Sequence, residues 1–496
     1  MPKFFKTKGT GHVTRAVRGW QRLPACCALA VTLCACTSVP THDGPTASFA
    51  VPAAWAGAEG LPVAGNLPLV DWWLRFDDVL LSRLIGQALA ANSSIQSAQA
   101  ALQQARALRD GTGASLWPTL GSSASVQRKR SDDHTGNSFQ AGLDASWELD
   151  VFGGKRSALS ASEASANASA ASLGDVQVSI AAEVALNYLA LRSLQERLAI
   201  AQANLASQQE TLQLTDWRLQ AGLVTSLEAE QARAAAEQTA AQIPTLQTSL
   251  AQTSHALSVL TGQLPAALSV LLAAPVPLPQ APETLALALP VDALRQRSDV
   301  RAAEFRVFAA AASVSQADVA RLPSFRLGGS LGLSSLTLAA LTDGASIAAG
   351  LLAGVSWPVF DGGASRAHLR TQQAAFEQAN FAYQATVLTA LTEVEDALVA
   401  LRGDKERLRR LQNAFAAADV AATLASQRYS SGLVDFQTVL ETQRTRLGTQ
   451  DSVASARAAV SADHVRLYKA LGGGWVPESS AAHPNSSIAP VWTPPT

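Results

Sequence analysis

Two kinds of hydrophobic pattern alternate along this chain, and the first predicts long helices. Ala- and Leu-rich stretches without proline cover about Ser157 to Ala221 and Ala364 to Ser431. Gly222 and Gly432 follow them, as glycine commonly follows a helix C-terminus. At about 1.5 Å per residue, such helices are roughly 100 Å long, which is more than a single globular core contains. The pattern therefore predicts a mostly α fold built from rods.

The second pattern is an alternation of period two. Apolar and polar residues alternate over the thirteen positions from Phe139 to Val151, and the carboxylates all fall on the polar side. Segments of this kind predict four strands in two hairpins, at residues 116–152 and 325–360. A soluble sheet with one packed face gives the same alternation, so the pattern alone leaves open whether the hairpins meet a membrane. If they do, the polar segment Arg128–His134 faces the outside; a solvated turn explains this segment equally well.

The strand count has a consequence for assembly. A membrane barrel needs about eight strands or more, and an open sheet edge is not tolerated in lipid. Four strands per chain therefore predict that several chains pool their strands if the hairpins enter a membrane. No run of about 20 apolar residues has the composition of a membrane-spanning helix.

The chain contains two copies of one unit. Shifted by 210 residues, the sequence aligns with itself without a gap from Trp147 to Gly262. Trp147 then meets Trp357, and Gly153 meets Gly363. An Ala-rich composition would align alanines but not these residues, so a common origin is the better interpretation. Each copy has the order helix, hairpin, long helix and shorter helix.

The repeat predicts six segments and a rod with a belt. The segments are a lipoprotein signal peptide (1–35), a lipidated extended segment (36–79), repeat 1 (80–262), an equatorial linker (263–291), repeat 2 (292–472) and a proline-rich, disordered tail (473–496). In each repeat the first helix, near Leu80–Gly111 or Asp292–Leu322, and the last helix add up to nearly one long helix. The economical packing lays these two end to end against an antiparallel long helix, with the linker and the chain ends at the junction.

The N-terminus resembles a bacterial lipoprotein signal. Six basic residues precede an apolar run, Leu23–Leu33, that is too short to span a bilayer. The run ends in Leu33-Cys34-Ala35-Cys36, where an aliphatic residue stands three places before a Cys and a small residue directly before it. This pattern predicts a mature chain that begins at a lipidated Cys36, and Thr37 permits sorting to the outer membrane. An ordinary signal peptide with incidental cysteines is the alternative.

Composition narrows the possible functions. After residue 35 the chain has 32 Lys plus Arg and 39 Asp plus Glu, a balance that does not attract nucleic acid. One Cys remains, the one predicted to carry lipid, so we expect no intrachain disulfide and no cofactor besides this covalent lipid. The histidines are scattered, and the sequence motifs of zinc, serine and phosphate-binding sites are absent, which argues against an enzyme and against a metal site.

Several motifs together resemble the outer-membrane efflux protein (TolC-like) family. They are the lipobox, the 210-residue repeat, Asp71-Trp72-Trp73, and the matching segments Trp147–Gly153 and Trp357–Gly363. The lipoprotein branch, similar to OprM and NodT, fits best, and the resemblance covers about Leu61 to Gly474. It implies a homotrimer in the outer membrane, in which twelve strands form one β-barrel continued by a periplasmic tunnel of twelve helices.

The resemblance also implies partners and a cargo. Such proteins work with a periplasmic adaptor and an inner-membrane transporter of the resistance-nodulation-division (RND) type, and they passively conduct the small molecules or drugs that the transporter loads. Ducts for protein secretion or for heavy-metal efflux share this architecture and remain alternatives. The only methionine is Met1, which disfavours a Cu(I) pump. Two departures from the family are Asn92-Ser93-Ser94-Ile95 and Arg297-Ser298-Asp299-Val300, which lack the usual proline.

The two helix-to-helix turns lie farthest from the strands and share the pattern Arg-x-x-x-Gly-Leu-Val. This pattern resembles the tip that contacts the adaptor in the family. We predict that adaptor docking uses Arg218, Gly222, Leu223, Val224, Arg428, Gly432, Leu433 and Val434. A helix C-cap with a hydrophobic closure uses the same residues, and the two roles are compatible.

The resemblance further implies a periplasmic gate near the second tip. Glu441 matches an acidic residue that narrows the tunnel mouth, while Thr438 stands where a second acidic residue is frequent, so we expect one acidic ring rather than two. Tyr429 and Glu228 match a tyrosine and an acidic residue that lock neighbouring helices. Our hypothesis is a closed resting tip that opens when the adaptor replaces these contacts. A solvated surface carboxylate is the alternative for Glu441.

Overall fold

The computed structural model describes residues 50–59, 69–131, 134–282, 284–285, 287–288, 290–342 and 347–476. Cys36 and the predicted signal peptide lie outside the described residues. The α-helices are α1 (Val79–Ala91), α2 (Ser93–Ala114), α3 (Gly154–Gln220), α4 (Ser226–Leu260), α5 (Ser269–Leu272), α6 (Pro290–Gln296), α7 (Ser298–Val319), α8 (Ala364–Ser430) and α9 (Phe436–Ala470). None of these helices is both long and apolar enough to cross a membrane.

The helix bounds recur at the offset seen in the sequence. The long helices α3 and α8 each contain 67 residues, and α4 and α9 each contain 35. Each of the four begins and ends 210 residues from its counterpart. Helix α4 also runs unbroken through Pro244.

The first helix of each repeat is broken, which corrects the prediction of one continuous run. Asn92 separates α1 from α2 and Arg297 separates α6 from α7, each with an extended backbone (ψ 131° and 128°). Asn92 Nδ2 donates to the carbonyl of Leu260 over 2.9 Å, and Arg297 Nη1 donates to the carbonyl of Ala470 over 2.7 Å. Leu260 and Ala470 are the last residues of α4 and α9. The break at Asn92 therefore attaches α2 to the end of α4, and the break at Arg297 attaches α7 to the end of α9.

The helices form one layer with two levels. On the side of the strands the order across the layer is α2, α3, α7, α8; on the other side it is α4, α3, α9, α8. The long helices thus run through both levels, as the end-to-end arrangement predicted. The stacked pair α2 and α4 forms one edge of the layer, and α8 forms the other.

The main hydrophobic core lies where the two levels meet. The buried Arg192 fastens the linker to this core, because its Nη1 donates to the Gln195 side chain over 2.7 Å and to the carbonyl of Ala274 over 2.8 Å. Gln195 in turn donates to the carbonyl of Leu272 over 2.7 Å. These hydrogen bonds satisfy Nη1 of the buried guanidinium, whose face also lies over the Tyr188 ring, 4.9 Å from its centre. The predicted equatorial belt is therefore a packed element.

The ordered chain continues beyond the predicted start of the tail at residue 473. Gly474 N donates to the carbonyl of Leu69 over 3.0 Å, and Trp475 Nε1 donates to the carbonyl of Gln296 over 2.9 Å. The Trp475 ring lies against Gly174, where a Cβ atom would come within 2.6 Å of it. Gly174 therefore leaves room for this ring against α3.

The strands form one antiparallel sheet in the order β1-β2-β3-β4. Their bounds are β1 (Thr119–Ser131), β2 (His134–Leu149), β3 (Ser324–Ser335) and β4 (Ile347–Ser356). The first hairpin pairs as far as Ser131 and His134, so most of the predicted polar loop belongs to the strands. The sheet extends from one end of the helical layer.

Candidate functional site

The sheet has one apolar face, and this face is exposed. Leu143 on β2 pairs with Leu331 on β3, and Leu331 pairs with Ala349 on β4, so the apolar positions of the strands share one side. Leu351 on β4 is 95 % exposed and Leu331 is 50 % exposed. The opposite side carries the carboxylates of β2. A single chain therefore presents a row of apolar side chains that no described element covers.

The outer edges of the sheet are also unpaired. In the part of the chain that the structure describes, β1 pairs only with β2 and β4 only with β3. Strands of 13 and 10 residues leave long rows of free backbone N–H and C=O groups, which proteins normally pair or cover. The sheet is therefore incomplete in one copy of the chain.

The two Trp-containing motifs join the sheet to the helices. Trp147 Nε1 donates to the carbonyl of Leu116 over 2.9 Å, and Trp357 Nε1 donates to the carbonyl of Arg321 over 3.2 Å. The two repeats therefore close the base of each hairpin in the same way. The match of these tryptophans in the sequence reflects one structural joint used twice.

A carboxylate starts each long helix next to this joint. Asp150 accepts from the backbone of Lys155 over 2.9 Å and of Arg156 over 3.0 Å, and the Arg156 side chain also contacts it. Burial raises the pKa of Asp150, but these hydrogen bonds outweigh it and the pKa is lowered. Asp361 accepts from the Ser365 hydroxyl and from backbone N–H groups, which lowers its pKa to about 2. Both carboxylates stay charged and satisfy the free N–H groups of a helix start.

The two helix-to-helix turns lie together at the other end of the chain. The Arg218 guanidinium at the end of α3 lies over the Tyr429 ring at the end of α8, 5.0 Å from its centre. The Tyr429 ring also packs on the buried Phe436 of α9, with ring centres 5.4 Å apart. We call Arg218, Tyr429 and Phe436 the tip clamp, because they connect the first hairpin tip to the second. The buried Tyr429 hydroxyl has no hydrogen-bond partner among the described residues.

Tyr429 and Glu228, which we predicted to lock neighbouring helices, form no hydrogen bond with each other within the chain. Glu228 instead accepts from the backbone N–H of Thr225 over 3.0 Å, in a capping box that starts α4. Thr438 is also used locally, since its N–H and hydroxyl donate to Asp435 over 2.8 Å and 2.6 Å. The sequence did not indicate that Thr438 would bind Asp435 or that Tyr429 would contact Arg218. For Asp435 a signal was available, because an Asp directly before an apolar helical run is typical of a helix N-cap.

Glu441 lies on α9, about one and a half turns beyond Phe436, and its side chain is exposed. It forms no ion pair with any residue that the structure describes. At the start of α9, the hydrogen bonds from Thr438 lower the pKa of the Asp435 carboxyl. A charged carboxylate thus stands at the start of α9, and the exposed Glu441 lies farther along the same helix.

The remaining predicted docking residues form helix C-caps with exposed leucines. Gly222 and Gly432 have φ angles of 70° and 73°, and Leu223 N and Leu433 N donate back to the carbonyls of Arg218 and Arg428 over 2.8 Å and 2.9 Å. This is the capping arrangement that favours glycine. Leu223 and Leu433 are nevertheless 73 % and 74 % exposed. Capping explains the glycines but not the two exposed leucines. The neighbouring Val224 and Val434 are half-buried, and Arg428 is exposed.

The first tip carries more apolar surface than the second. Trp217 and Leu227 are both exposed beside Leu223. The positions that match them in the second tip hold Gln427 and Gln437. The sequence interpretation did not include Trp217 or Leu227, because it used only the pattern that the two tips share. The two tips are thus similar in backbone and different in chemistry.

Comparisons with known proteins agree with this architecture. A family model described as outer membrane efflux protein matches residues 84–263 and 289–473. The pyoverdine export outer membrane protein OpmQ of Pseudomonas putida is 34% identical over 470 residues, which are 91% of this chain and 97% of OpmQ. The outer membrane protein OprJ of Pseudomonas aeruginosa is 32% identical over 459 residues, 90% of this chain and 95% of OprJ.

Solved structures resemble the whole layer and sheet. The outer-membrane channel OprN has a TM-score of 0.83 at 33% identity, with 88% of this chain and 99% of that chain covered. The open state of the Neisseria gonorrhoeae outer-membrane channel MtrE has a TM-score of 0.76 at 27% identity, with 88% and 98% covered. The helical layer and the four-stranded sheet are thus similar to those of proteins described as outer-membrane channels.

Proposed function

Since the chain belongs to the outer membrane efflux protein family and is an outer-membrane exit duct of an efflux system, we propose that three copies assemble into this duct. Each copy contributes four strands to one barrel and four helical positions to one periplasmic tunnel. The duct conducts its cargo passively. A periplasmic adaptor and an inner-membrane transporter of the RND type supply the cargo and the energy.

The observation that carries the proposal is that the same chain has open edges at both of its ends. The sheet ends in the unpaired strands β1 and β4, and the helical layer ends in α2 with α4 on one side and α8 on the other. Large apolar side chains are exposed on these helices, including Leu108 on α2 and Phe381 and Val420 on α8. One edge of a copy must therefore meet the other edge of the next, a head-to-tail contact that closes into a ring. Three copies give twelve strands, enough for a membrane barrel.

The test uses the mature chain purified in detergent. Native mass spectrometry should give three protein copies per particle, and planar bilayers should show ion current through the same particles. A monomer without current would contradict both the trimer and the duct. A trimer without current would retain the assembly and reject the conduit.

The hairpin tips support the contact with the adaptor. The leucines Leu223 and Leu433 are exposed where the long helices turn, at the end opposite the sheet. Exposed apolar residues at a loop tip indicate a binding surface rather than a solvated turn. We assign docking to the eight predicted residues around these leucines, with the capping glycines setting the shape of each turn.

The tip clamp supports a closed resting state. It joins α3 to the hairpin of α8 and α9 within one copy, and adaptor binding at Leu223 and Leu433 would act directly beside it. Glu441 would add an acidic ring at the tunnel mouth of the trimer, where three like charges attract cations. Glu441→Gln should abolish block of the current by a multivalent cation added on the periplasmic side. Unchanged block would leave Glu441 as a solvated surface residue.

Small organic molecules are the cargo that the comparisons favour. The relatives at 34% and 30% identity are described as exporting pyoverdine and toluene, while the relative described as a cation efflux protein, CusC, is 28% identical. The only methionine of this chain is Met1, which leaves no thioether ligands for Cu(I) along a duct. A strain that lacks the protein should accumulate an organic dye without becoming sensitive to silver or copper. Metal sensitivity without dye accumulation would reverse the assignment, and loss of a secreted protein alone would point to a secretion duct.

A further inference from the structure

A pair of arginines lies at the outer end of the first hairpin. Strand β1 starts at Thr119, beside the helices, and ends at Ser131, at the turn. Arg128 and Arg130 stand two residues apart near that turn, so their side chains project from the same face of the strand, about 7 Å apart. Both are exposed, and neither forms an ion pair with any of the residues described. Asn137 pairs with Arg128 across the strands and is also exposed.

These arginines continue the apolar face of the sheet. Along β1 the same face carries Leu120, Ala124 and Val126 before it reaches Arg128. Leu120 and Val126 are 71 % and 74 % exposed. In the trimer this face is turned toward lipid. Lys129, between the two arginines, projects from the opposite face, which is the polar one.

The height of the arginines above the base of the sheet can be worked out from the strand. Ser146 on β2 pairs with Thr119 on β1, so Trp147 lies at the same height as residue 118, which is ten residues before Arg128. Ten residues at about 3.4 Å each, with a tilt of about 40°, raise the chain by about 26 Å. The apolar band of an outer-membrane barrel is about 25 Å tall. With the inner boundary of the band placed at Trp147, Arg128 and Arg130 stand at its outer boundary, where lipid headgroups begin.

We propose that Arg128 and Arg130 bind a phosphate of a phosphorylated glycolipid in the outer leaflet. A guanidinium offers a planar fork of donors that matches phosphate oxygens, and two of them on one face can hold one headgroup from the side. Asn137 adds an amide donor at the same level. The proposal rests on the proposed function, because the sheet must sit in the outer membrane with its turns outward. A trimer carries three such sites around the barrel.

The test compares two faces of the same strand. The purified trimer is titrated with bisphosphorylated lipid A and the bound lipid is counted by native mass spectrometry. The double variant Arg128→Gln/Arg130→Gln should bind lipid A about tenfold more weakly than the unchanged protein. The control variant Lys129→Gln should bind lipid A as strongly as the unchanged protein. Lipid A from which the phosphates have been removed should bind the unchanged protein as weakly as the double variant does. An excess of inorganic phosphate should not displace the lipid, because the acyl chains hold it against the apolar face.

Three outcomes would overturn the proposal: equal binding by the double variant, equal loss in Lys129→Gln, or equal binding of the phosphate-free lipid. Displacement by inorganic phosphate alone would show an anion site that does not recognise lipid and would overturn it as well. Should the double variant fail to assemble, Arg128→Lys/Arg130→Lys keeps the charge but loses the planar fork, so it should bind lipid A more weakly than the unchanged protein. Binding equal to that of the unchanged protein would overturn the role of the guanidinium groups. Ion current in bilayers separates this proposal from the proposed function, since the double variant should conduct normally.

Discussion

Replacing Arg218 with Gln tests whether the tip clamp keeps the periplasmic end closed. The substitution removes the cation that lies 5.0 Å from the centre of the Tyr429 ring and leaves the contact between Tyr429 and Phe436 in place. A half-buried cation–π contact is worth about 1 kcal/mol. If opening breaks this contact in all three tips of a trimer, the substitution removes about 3 kcal/mol from the stability of the closed state relative to the open one. That loss corresponds to a shift of about 100-fold toward the open state.

Single-channel recording in planar bilayers measures this shift. Arg218→Gln should increase the fraction of time spent in the high-conductance state, and Tyr429→Ala, which also removes the aromatic pair, should increase it further. Tyr429→Phe is the matched control. The Tyr429 hydroxyl has no partner among the residues described, so its loss should leave the current unchanged.

The control decides between two kinds of lock. If Tyr429→Phe opened the channel as much as Arg218→Gln, the hydroxyl would be the important group, and a hydrogen bond to another copy would replace the cation–π contact as the explanation. If Arg218→Gln left the current unchanged while Tyr429→Ala opened it, the aromatic pair alone would hold the tip. Unchanged current in all three variants would refute the assignment of a gate to the clamp.

Three further predictions concern the anchor, the belt and pH. Cys36→Ser should remove the acyl mass from the mature chain and weaken membrane attachment in cell fractionation; an unchanged mass would identify an ordinary signal peptide. Gly174→Ala should lower the melting temperature, because a Cβ atom at this position would meet the Trp475 ring. The control Gly403→Ala lies in the matching long helix with open space around it, and it should raise the melting temperature because a glycine inside a helix costs about 1 kcal/mol relative to alanine. Equal effects of the two substitutions would contradict the packing of Trp475 on Gly174. Burial of His464, helped by Lys405 and Arg75, lowers its pKa from 6.5 to about 4. The unfolded chain therefore binds more protons between these values, and stability should be complete above about pH 6.5 and decline toward pH 4. His464→Gln should make this decline shallower in thermal denaturation, and an unchanged slope would exclude His464 as its source.

The sequence predicted the long elements because their signals are long. A proline-free run of more than sixty residues that ends at glycine leaves few alternatives to a helix, so α3 and α8 were predicted to within three residues. Trp147 and Trp357 marked the repeat because composition does not align them by chance. The alternation in β2 predicted a strand with one apolar and one polar face, because the alternation extends over thirteen positions.

Single-residue events were not predictable in the same way. The breaks at Asn92 and Arg297 each change the backbone at one residue, and the hydrogen bonds that fasten them come from helix ends more than 160 residues away. The contact of Trp475 with Gly174 spans about 300 residues. The role of Glu228 could have been found, because Thr225 followed three residues later by Glu is a capping-box pattern.

The two helix breaks of each subunit, at Asn92 and Arg297, differ in their chemistry. At the first, the neutral amide of Asn92 holds the last carbonyl of α4. At the second, Arg297 holds the last carbonyl of α9 and also pairs with Asp299 and Glu393, each over 2.7 Å. An amide joint is indifferent to salt, whereas an ionic joint weakens with ionic strength where its carboxylates reach water, as half-exposed Glu393 does. A rise in ionic strength should therefore weaken the attachment of α7 to α9 in the second repeat more than that of α2 to α4 in the first, so the two repeats differ in their sensitivity to salt.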